Sequence, residues 1–372
     1  MRTKILFLIH DLGQGGAEKA LVSLVNHMNK SQFDITVISL FGGGVNEQYI
    51  NDDIHYSYVY KRMIPANSKW MKLYTPEQLH KKYIKEKYDI EISFLEGPCT
   101  RIISGCKDPN TKLISWIHCT LNSEEAVSLP FRNPKEARDC YNAMNRIIFV
   151  SEGTKKRFIE NCRYEGNTQV LYNVLNTEEI INAAQEHIDE MPSDRIKLIS
   201  IGTLKPVKGF DRLLRVVKRL NDESYPIKLY ILGEGPMRGK LERYIKENSL
   251  ESVVSLLGYK RNPYKYLSKC DLFVCSSYSE GLSTAVSEAL LLGVPVCTVE
   301  VSGMKELLEG DGEIGIMTKN TEEDLYKGLK MLFNEPEKLA YYKSQLAHKR
   351  DFFKTESSVN NIEKMLLSVL GG

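Results

Sequence analysis

The stretch from Cys275 to Glu306, CSSYSEGLSTAVSEALLLGVPVCTVEVSGMKE, decides the fold. Leu272, Phe273 and Val274 just ahead of it read as a buried strand, Ser276 to Gly281 as the loop at that strand's C-terminal end, and Ser283 to Leu292 as a helix. Gly293 ends the helix, Val294 to Val299 reads as the next strand, and Gly303 opens a second turn ahead of Glu306. Strand, loop, helix and strand make the unit of a doubly wound α/β sheet. Ligands of such sheets bind beyond the C-terminal ends of the strands, where this loop lies.

The loop and helix carry two carboxylates, Glu280 and Glu288. Gly281 gives the turn freedom, and the first N–H groups of the helix have no partners within it, so they and the helix dipole favour an anion such as a phosphate or diphosphate. Glu288 lies about a turn and a half into the helix. It can face the same crevice as Glu280 and accept hydrogen bonds from two neighbouring hydroxyls, as a ribose or sugar diol offers. Taken alone, two glutamates at this spacing are as readily solvated surface charges.

The surroundings favour the ligand reading. Glu280-Gly281, Glu288-Ala289, Gly293-Val294-Pro295-Val296, and Ser302-Gly303 followed by Glu306 together resemble the donor-site signature of family 4 of the retaining glycosyltransferases.

At 372 residues the chain is long for one core and suits two domains. A formal net charge of +2 argues for neither a nucleic-acid partner nor a general polyanion binder, so no nucleic acid is expected unless a local patch carries the case. The eight cysteines include no C-x-x-C pair and read as reduced thiols of a cytoplasmic protein. Met1 to Ile9 is too short for a signal peptide, and no apolar run approaches the roughly 18 residues of a membrane span.

Along the chain, Lys4 to Ile9 reads as a buried strand, followed by a glycine-rich loop and a helix from Ala17 through Met28. Gly15 and Gly16 let the backbone approach a ligand closely, but the loop does not match G-x-G-x-x-G, which argues against a dinucleotide site. Strands follow at Phe33 to Leu40, Asp89 to Leu95 and Lys112 to Ile117, with Arg146 to Val150 as the last of the N-terminal domain. Alternation restarts at Ile196 to Ile201, then Ile227 to Leu232 and Val253 to Leu257, and predicts a second doubly wound domain. Beyond Thr321 the chain reads as helical. The expected division is 1–172 and 173–344, with 345–372 returning to the first domain as the resemblance implies.

The resemblance implies the GT-B fold, two Rossmann-like doubly wound α/β domains facing a central cleft, and transfer of a sugar from a nucleotide diphosphate sugar with retention at the anomeric carbon. His118, Lys208 and Glu280 are then the catalytic candidates. The donor-binding set is Gly15, Gly16, Thr203, Lys205, Gly258, Tyr259, Gly281, Leu282, Ser283, Thr284 and Glu288. Lys208 meets the diphosphate, the segment after Gly258 reads the base, and Glu288 holds the ribose diol. Thr203 stands where the family commonly has an arginine, and Lys205 is the candidate to compensate. No D-x-D motif is present, so no metal and no cofactor are expected, and charge on the leaving phosphates is stabilised by protein groups.

The donor sugar is not chosen by these residues, although a UDP-sugar is favoured, and the expected acceptor is a saccharide or lipid-linked saccharide of surface polysaccharide assembly. From Lys61 to Lys87, eight basic residues stand against two acidic ones, interleaved with Trp70, Tyr74 and Tyr83. Such a segment suits either the inner face of an anionic membrane or a solvated helix face. A sugar-nucleotide epimerase and a non-catalytic partner of another transferase are the alternatives.

Overall fold

The computed structural model describes residues 2–64, 67–188, 191, 194–308 and 314–371. Residues 65 and 66 of the basic segment lie outside them. The chain forms two compact units, Met1–Leu175 with Thr355–Gly372, and Asn176–Lys354.

The first unit is built on β1 (Thr3–Ile9), β2 (Phe33–Phe41), β3 (His55–Tyr60), β4 (Ile90–Ser93), β5 (Lys112–Ile117), β6 (Arg146–Phe149) and β7 (Thr168–Val170). They lie in the order β3-β2-β1-β4-β5-β6-β7, every neighbouring pair parallel. Central strands covered on both faces read as near-continuous apolar runs, and Ile5 through Ile9 are all fully buried.

The second unit holds β8 (Ile196–Ile201), β9 (Ile227–Leu232), β10 (Val254–Gly258), β11 (Leu272–Cys275), β12 (Val296–Val299) and β13 (Gly315–Thr318), in the order β10-β9-β8-β11-β12-β13 and again parallel. This is the doubly wound order whose direction reverses beside its first strand, opening a crevice where the loops after β8 and β11 part. An apolar stripe follows Gly209: Leu213, Leu214, Val217 and Leu220 of the helix Phe210–Asp222 are fully buried.

Three strands escape the sequence pattern. β3 pairs with β2 from Thr36 and His55 onward although His55, Ser57 and Tyr58 are exposed, so its alternation is that of a solvated edge. β7 follows β6, correcting the expectation that Arg146 to Val150 ends the first sheet. β13 borders β12.

The chain returns to the first unit at Thr355, whose hydroxyl donates to the Leu175 carbonyl at 2.7 Å. The helix Thr355–Leu370 buries Ile362, Met365 and Leu366, and Glu363 Oε1 accepts from the Asn29 amide at 2.6 Å. Residues 345–354 stay with the second unit, where the helix Pro336–Lys349 packs beside the helix Thr284–Leu291.

Candidate functional site

In the second unit the loop after β8 ends in a short 3-10 turn, Pro206–Lys208, and Gly209 then starts the helix at φ +64°. A Cβ at Gly209 would lie 2.0 Å from the Ser276 carbonyl oxygen, so a side chain there would push the loops after β8 and β11 apart. That approach brings Lys208 to Glu280. Lys208 Nζ donates to both carboxylate oxygens, at 2.7 and 2.8 Å, and the Ser277 hydroxyl donates to Oε1 at 2.5 Å. The ammonium is oriented at the mouth of the crevice by a carboxylate that is itself held.

Arg212 fixes the loop that carries Glu280. Its side chain is 2% exposed, and Nε donates to the Ser276 carbonyl at 2.6 Å, Nη2 to the Ser277 carbonyl at 2.7 Å and Nη1 to Asn320 Oδ1 at 2.8 Å. The guanidinium also lies 4.2 Å from the centre of the Tyr278 ring. Burial lowers its pKa from the usual value. Sequence reading missed Arg212, yet a cation in the first turn of a helix opposes the helix dipole, which signals a partner elsewhere.

The helix Thr284–Leu291 begins as expected: Ser283 is its N-cap and its hydroxyl accepts from the Val286 amide at 3.4 Å. Thr284 Oγ1, at the first position of this helix, is buried without a hydrogen-bond partner. A buried hydroxyl of this kind is unusual in a folded protein, and here it sits where an anion would bind. Glu288, 3% exposed, accepts from the Tyr264 hydroxyl at 2.9 Å. Burial first, and then the Glu288 charge, raise the tyrosine's pKa well above its ordinary value, so it remains a donor. Tyr264 was also missed by the sequence; it opens the short helix Tyr264–Leu267, whose N-cap is Pro263, beyond β10.

Gly258 closes β10 at φ +71°, and Tyr259 beside it is 39% exposed. Thr203 is half-buried after β8, and Lys205 is exposed. Gly281 and Leu282 are buried between the Glu280 loop and the helix start. The structure thus joins Lys208 to Glu280 and Glu288 to Tyr264.

In the first unit, Gly15 is the N-cap of the helix Gly16–His27 and both glycines stand beyond β1, where the first sheet reverses its order. Asp11 Oδ1 accepts from the Gly13 amide at 2.8 Å and shapes that loop. His118 follows β5, with its amide donating to Glu96 Oε2 at 2.9 Å and its ring 4.7 Å from that of Phe94. The residue is 8% exposed, Nε2 has no partner, and burial pushes the imidazole down to about 3, so it is neutral at physiological pH. A neutral ring with an unsatisfied nitrogen is equipped to bond a ligand hydroxyl.

Two family profiles cover nearly the whole chain. Residues 14–179 match "Glycosyltransferase Family 4" and residues 182–348 match "Glycosyl transferases group 1". The chain belongs to glycosyltransferase family 4. It is a glycosyltransferase of GT-B fold.

Among the relatives of this family-4 chain, it is 27% identical to the N-acetylgalactosamine-N,N'-diacetylbacillosaminyl-diphospho-undecaprenol 4-alpha-N-acetylgalactosaminyltransferase of Campylobacter jejuni, over 98% of this chain and 99% of that protein. It is 26% identical to a second transferase of that organism, an alpha-1,4-N-acetyl-D-galactosaminyltransferase whose name carries a diNAcBac-PP-undecaprenol saccharide, over 89% of each chain. The solved structure of Anabaena HepE with UDP and glucose superposes with a TM-score of 0.76 at 18% identity, covering 99% of this chain and 100% of that one.

Proposed function

We propose that this glycosyltransferase moves a hexose or N-acetylhexosamine from a UDP-sugar to a lipid-linked saccharide with retention at the anomeric carbon, without a metal or cofactor, in the assembly of a surface polysaccharide. The observation that carries the donor assignment is the Lys208 ammonium held by Glu280 at the crevice of the second sheet. The unpartnered Thr284 hydroxyl at the neighbouring helix start supports it. The names of the Campylobacter relatives support a lipid-linked acceptor, and the UDP in the HepE structure supports the base.

The chemical problem is the departure of a nucleoside diphosphate. Lys208 and the helix start before Thr284 stabilise the charge that grows on the phosphates as the bond to the anomeric carbon breaks. The acceptor hydroxyl attacks from the same face, its oxygen bonds to that carbon, and its proton passes to the departing phosphate oxygen. Glu288, set by Tyr264, takes the ribose diol and Glu280 bonds hydroxyls of the donor sugar, while in the first unit the unpartnered His118 Nε2 is equipped to bond a substrate hydroxyl. Thr203 offers no guanidinium, so Lys205, exposed on the same loop, is the second cation for the diphosphate.

A membrane surface fits the first unit. The Arg132 Nε–H donates to the Lys72 carbonyl at 2.6 Å, tying together two loops that expose Leu73 (79%) and Leu129 (68%) among Lys69, Lys72 and Arg132. Apolar side chains ringed by cations suit an anionic lipid interface. Among the described residues no helix is long and apolar enough to cross a membrane. We therefore assign the protein to the inner face of the membrane, held peripherally.

The test is calorimetry with UDP, GDP, ADP and their sugar conjugates on the wild type and Glu288→Gln, followed by transfer to lipid-linked saccharides with and without chelator. Binding of UDP that weakens in the variant, and chelator-resistant transfer that keeps the donor's anomeric configuration, are expected. Failure of every nucleotide to bind would favour a non-catalytic partner protein, and release of altered sugar nucleotide without acceptor would favour an epimerase.

A further inference from the structure

We propose that His80, Glu91 and Cys106 form a binding site for one divalent transition-metal ion, zinc by the chemistry of the donors, in the side layer of the first unit. Each residue offers one ligand atom, and the three atoms lie within 4.8 Å of one another. None of the three belongs to the residues assigned to transfer.

The site is anchored by Glu91. It lies on β4, whose backbone is paired on both sides, with Leu6 of β1 and Leu113 of β5, and its side chain is buried at 1% exposure between fully buried Ile90 and Ile92. A carboxylate at such a position is costly unless a cation or donor meets it. His80 does so from the helix Pro76–Tyr83, with Nε2 2.8 Å from Glu91 Oε2. A capping box between Thr75 and Gln78 fixes the start of this helix, so the histidine is presented by a firm element.

The third donor arrives from the turn after the helix Pro98–Ile103, and two features bring it close. A Cβ at Gly105 would lie 2.1 Å from the Pro76 carbonyl oxygen, so only glycine lets this turn rest against the start of the His80 helix. The next residue but one, Lys107, bonds Glu77 at 2.8 Å and clips the turn to that helix, three residues ahead of His80. His80 and Cys106 are both partly exposed, which leaves a route for an ion and a place for a water as fourth ligand.

Imidazole, carboxylate and thiolate together suit zinc, and three protein ligands with one open position make a four-coordinate site. Ligand atoms around zinc sit roughly 3.5 Å apart, so on loading His80 Nε2 and Glu91 Oε2, 2.8 Å apart without the ion, must separate to admit it. Zinc takes the thiolate of a cysteine and the neutral imidazole of a histidine, so its binding is coupled to release of protons. No sequence motif announces the group, because its members come from a helix, a strand and a turn.

The test is titration of the full, metal-free chain with Co2+, a visible probe for zinc sites. One equivalent should give the strong d–d bands of a tetrahedral ion and a thiolate-to-cobalt charge-transfer band, all abolished by Zn2+. Cys106→Ser should remove the charge-transfer band and His80→Gln should weaken binding more than tenfold, while Cys119→Ser, at an exposed cysteine outside the group, should change neither. Wild-type chain without the charge-transfer band overturns the proposal with no variant needed. Persistence of the band in Cys106→Ser also overturns it, and leaves His80 and Glu91 as an ion pair only.

Discussion

Replacing Arg212 by methionine tests whether the Glu280 loop is held by its three hydrogen bonds. The substitution keeps a long side chain in place but removes donors to the Ser276 and Ser277 carbonyls and to Asn320. Orphaning two carbonyl acceptors costs about 1–3 kcal/mol each, and the loss is partly offset because a buried cation no longer has to be desolvated. A net destabilisation of about 3 kcal/mol follows, which for a unit of this size lowers its melting temperature by about 6–12 °C. The catalytic effect should exceed what stability explains. With the clamp gone, Glu280 and Lys208 lose their fixed geometry, and kcat should fall about 100-fold at a temperature where the variant is still folded. Arg212→Lys should lie between, because an ammonium cannot span three acceptors as the planar guanidinium does. Differential scanning calorimetry and steady-state transfer rates measure the two effects. An Arg212→Met variant that melts within 1 °C of wild type, or that is folded and fully active, would refute the reasoning.

Lys208→Ala should lower kcat by about 100- to 1,000-fold while leaving the fold intact, since it removes charge aimed at the leaving diphosphate; circular dichroism and single-turnover rates check this. Tyr264→Phe deletes a hydroxyl that bonds Glu288 and should weaken UDP binding about tenfold, read by calorimetry, with little change in the rate of bound donor. His118 has a folded pKa of about 3 against an ordinary 6.5, so the unfolded chain binds more protons between those values and stability is lost as pH falls from 6.5. Urea unfolding followed by tryptophan fluorescence should show this loss, up to about 1.4 kcal/mol per pH unit, blunted in His118→Leu. Leu73→Glu with Leu129→Glu should abolish co-sedimentation with phosphatidylglycerol vesicles at low salt and leave transfer to a soluble acceptor unchanged.

What the sequence made legible follows from where each signal resides. β5, β8 and β9 match the strands read from the sequence residue for residue because their centres, buried on both faces, are largely apolar. The helix stop at Gly293 was equally plain, its φ of +77° being one that a glycine adopts freely. β3 was hidden because it is an edge strand of half-buried and exposed residues with no continuous apolar run, and β7 because three residues are too few to show a period. At the site, Glu280, Glu288 and Lys208 were singled out through the family signature they resemble, but their partners were not. Arg212 and Tyr264 work across long sequence separations, Arg212 with Ser276 and Asn320, Tyr264 with Glu288, and nothing local in either segment names the other end. Glu91 illustrates the same limit: in Asp89-Ile90-Glu91-Ile92 it reads as the polar member of an alternating strand, and only the packed sheet reveals it as buried.

The topology explains why chemistry gathers where it does. In each sheet the first strand has neighbours whose connections run to opposite faces, so the loops after β1 and β4, and those after β8 and β11, separate at the strand ends. A crevice is left with backbone amides and helix starts around it. The first unit furnishes its crevice with Gly15, Gly16 and the Asp11 turn, and the second furnishes its own with Lys208, Glu280 and the Ser283 cap. The two are unequal in charge. The second alone sets a lysine into the opening and braces it with a carboxylate, a serine and, through the loop, a buried arginine. The proposed diphosphate carries more negative charge than one lysine neutralises, and Glu280 binds that lysine through both carboxylate oxygens. Donor binding must therefore redistribute this pair, which makes the strength of the Lys208–Glu280 bond a determinant of nucleotide affinity: Glu280→Gln should bind UDP more tightly than wild type while transferring sugar more slowly.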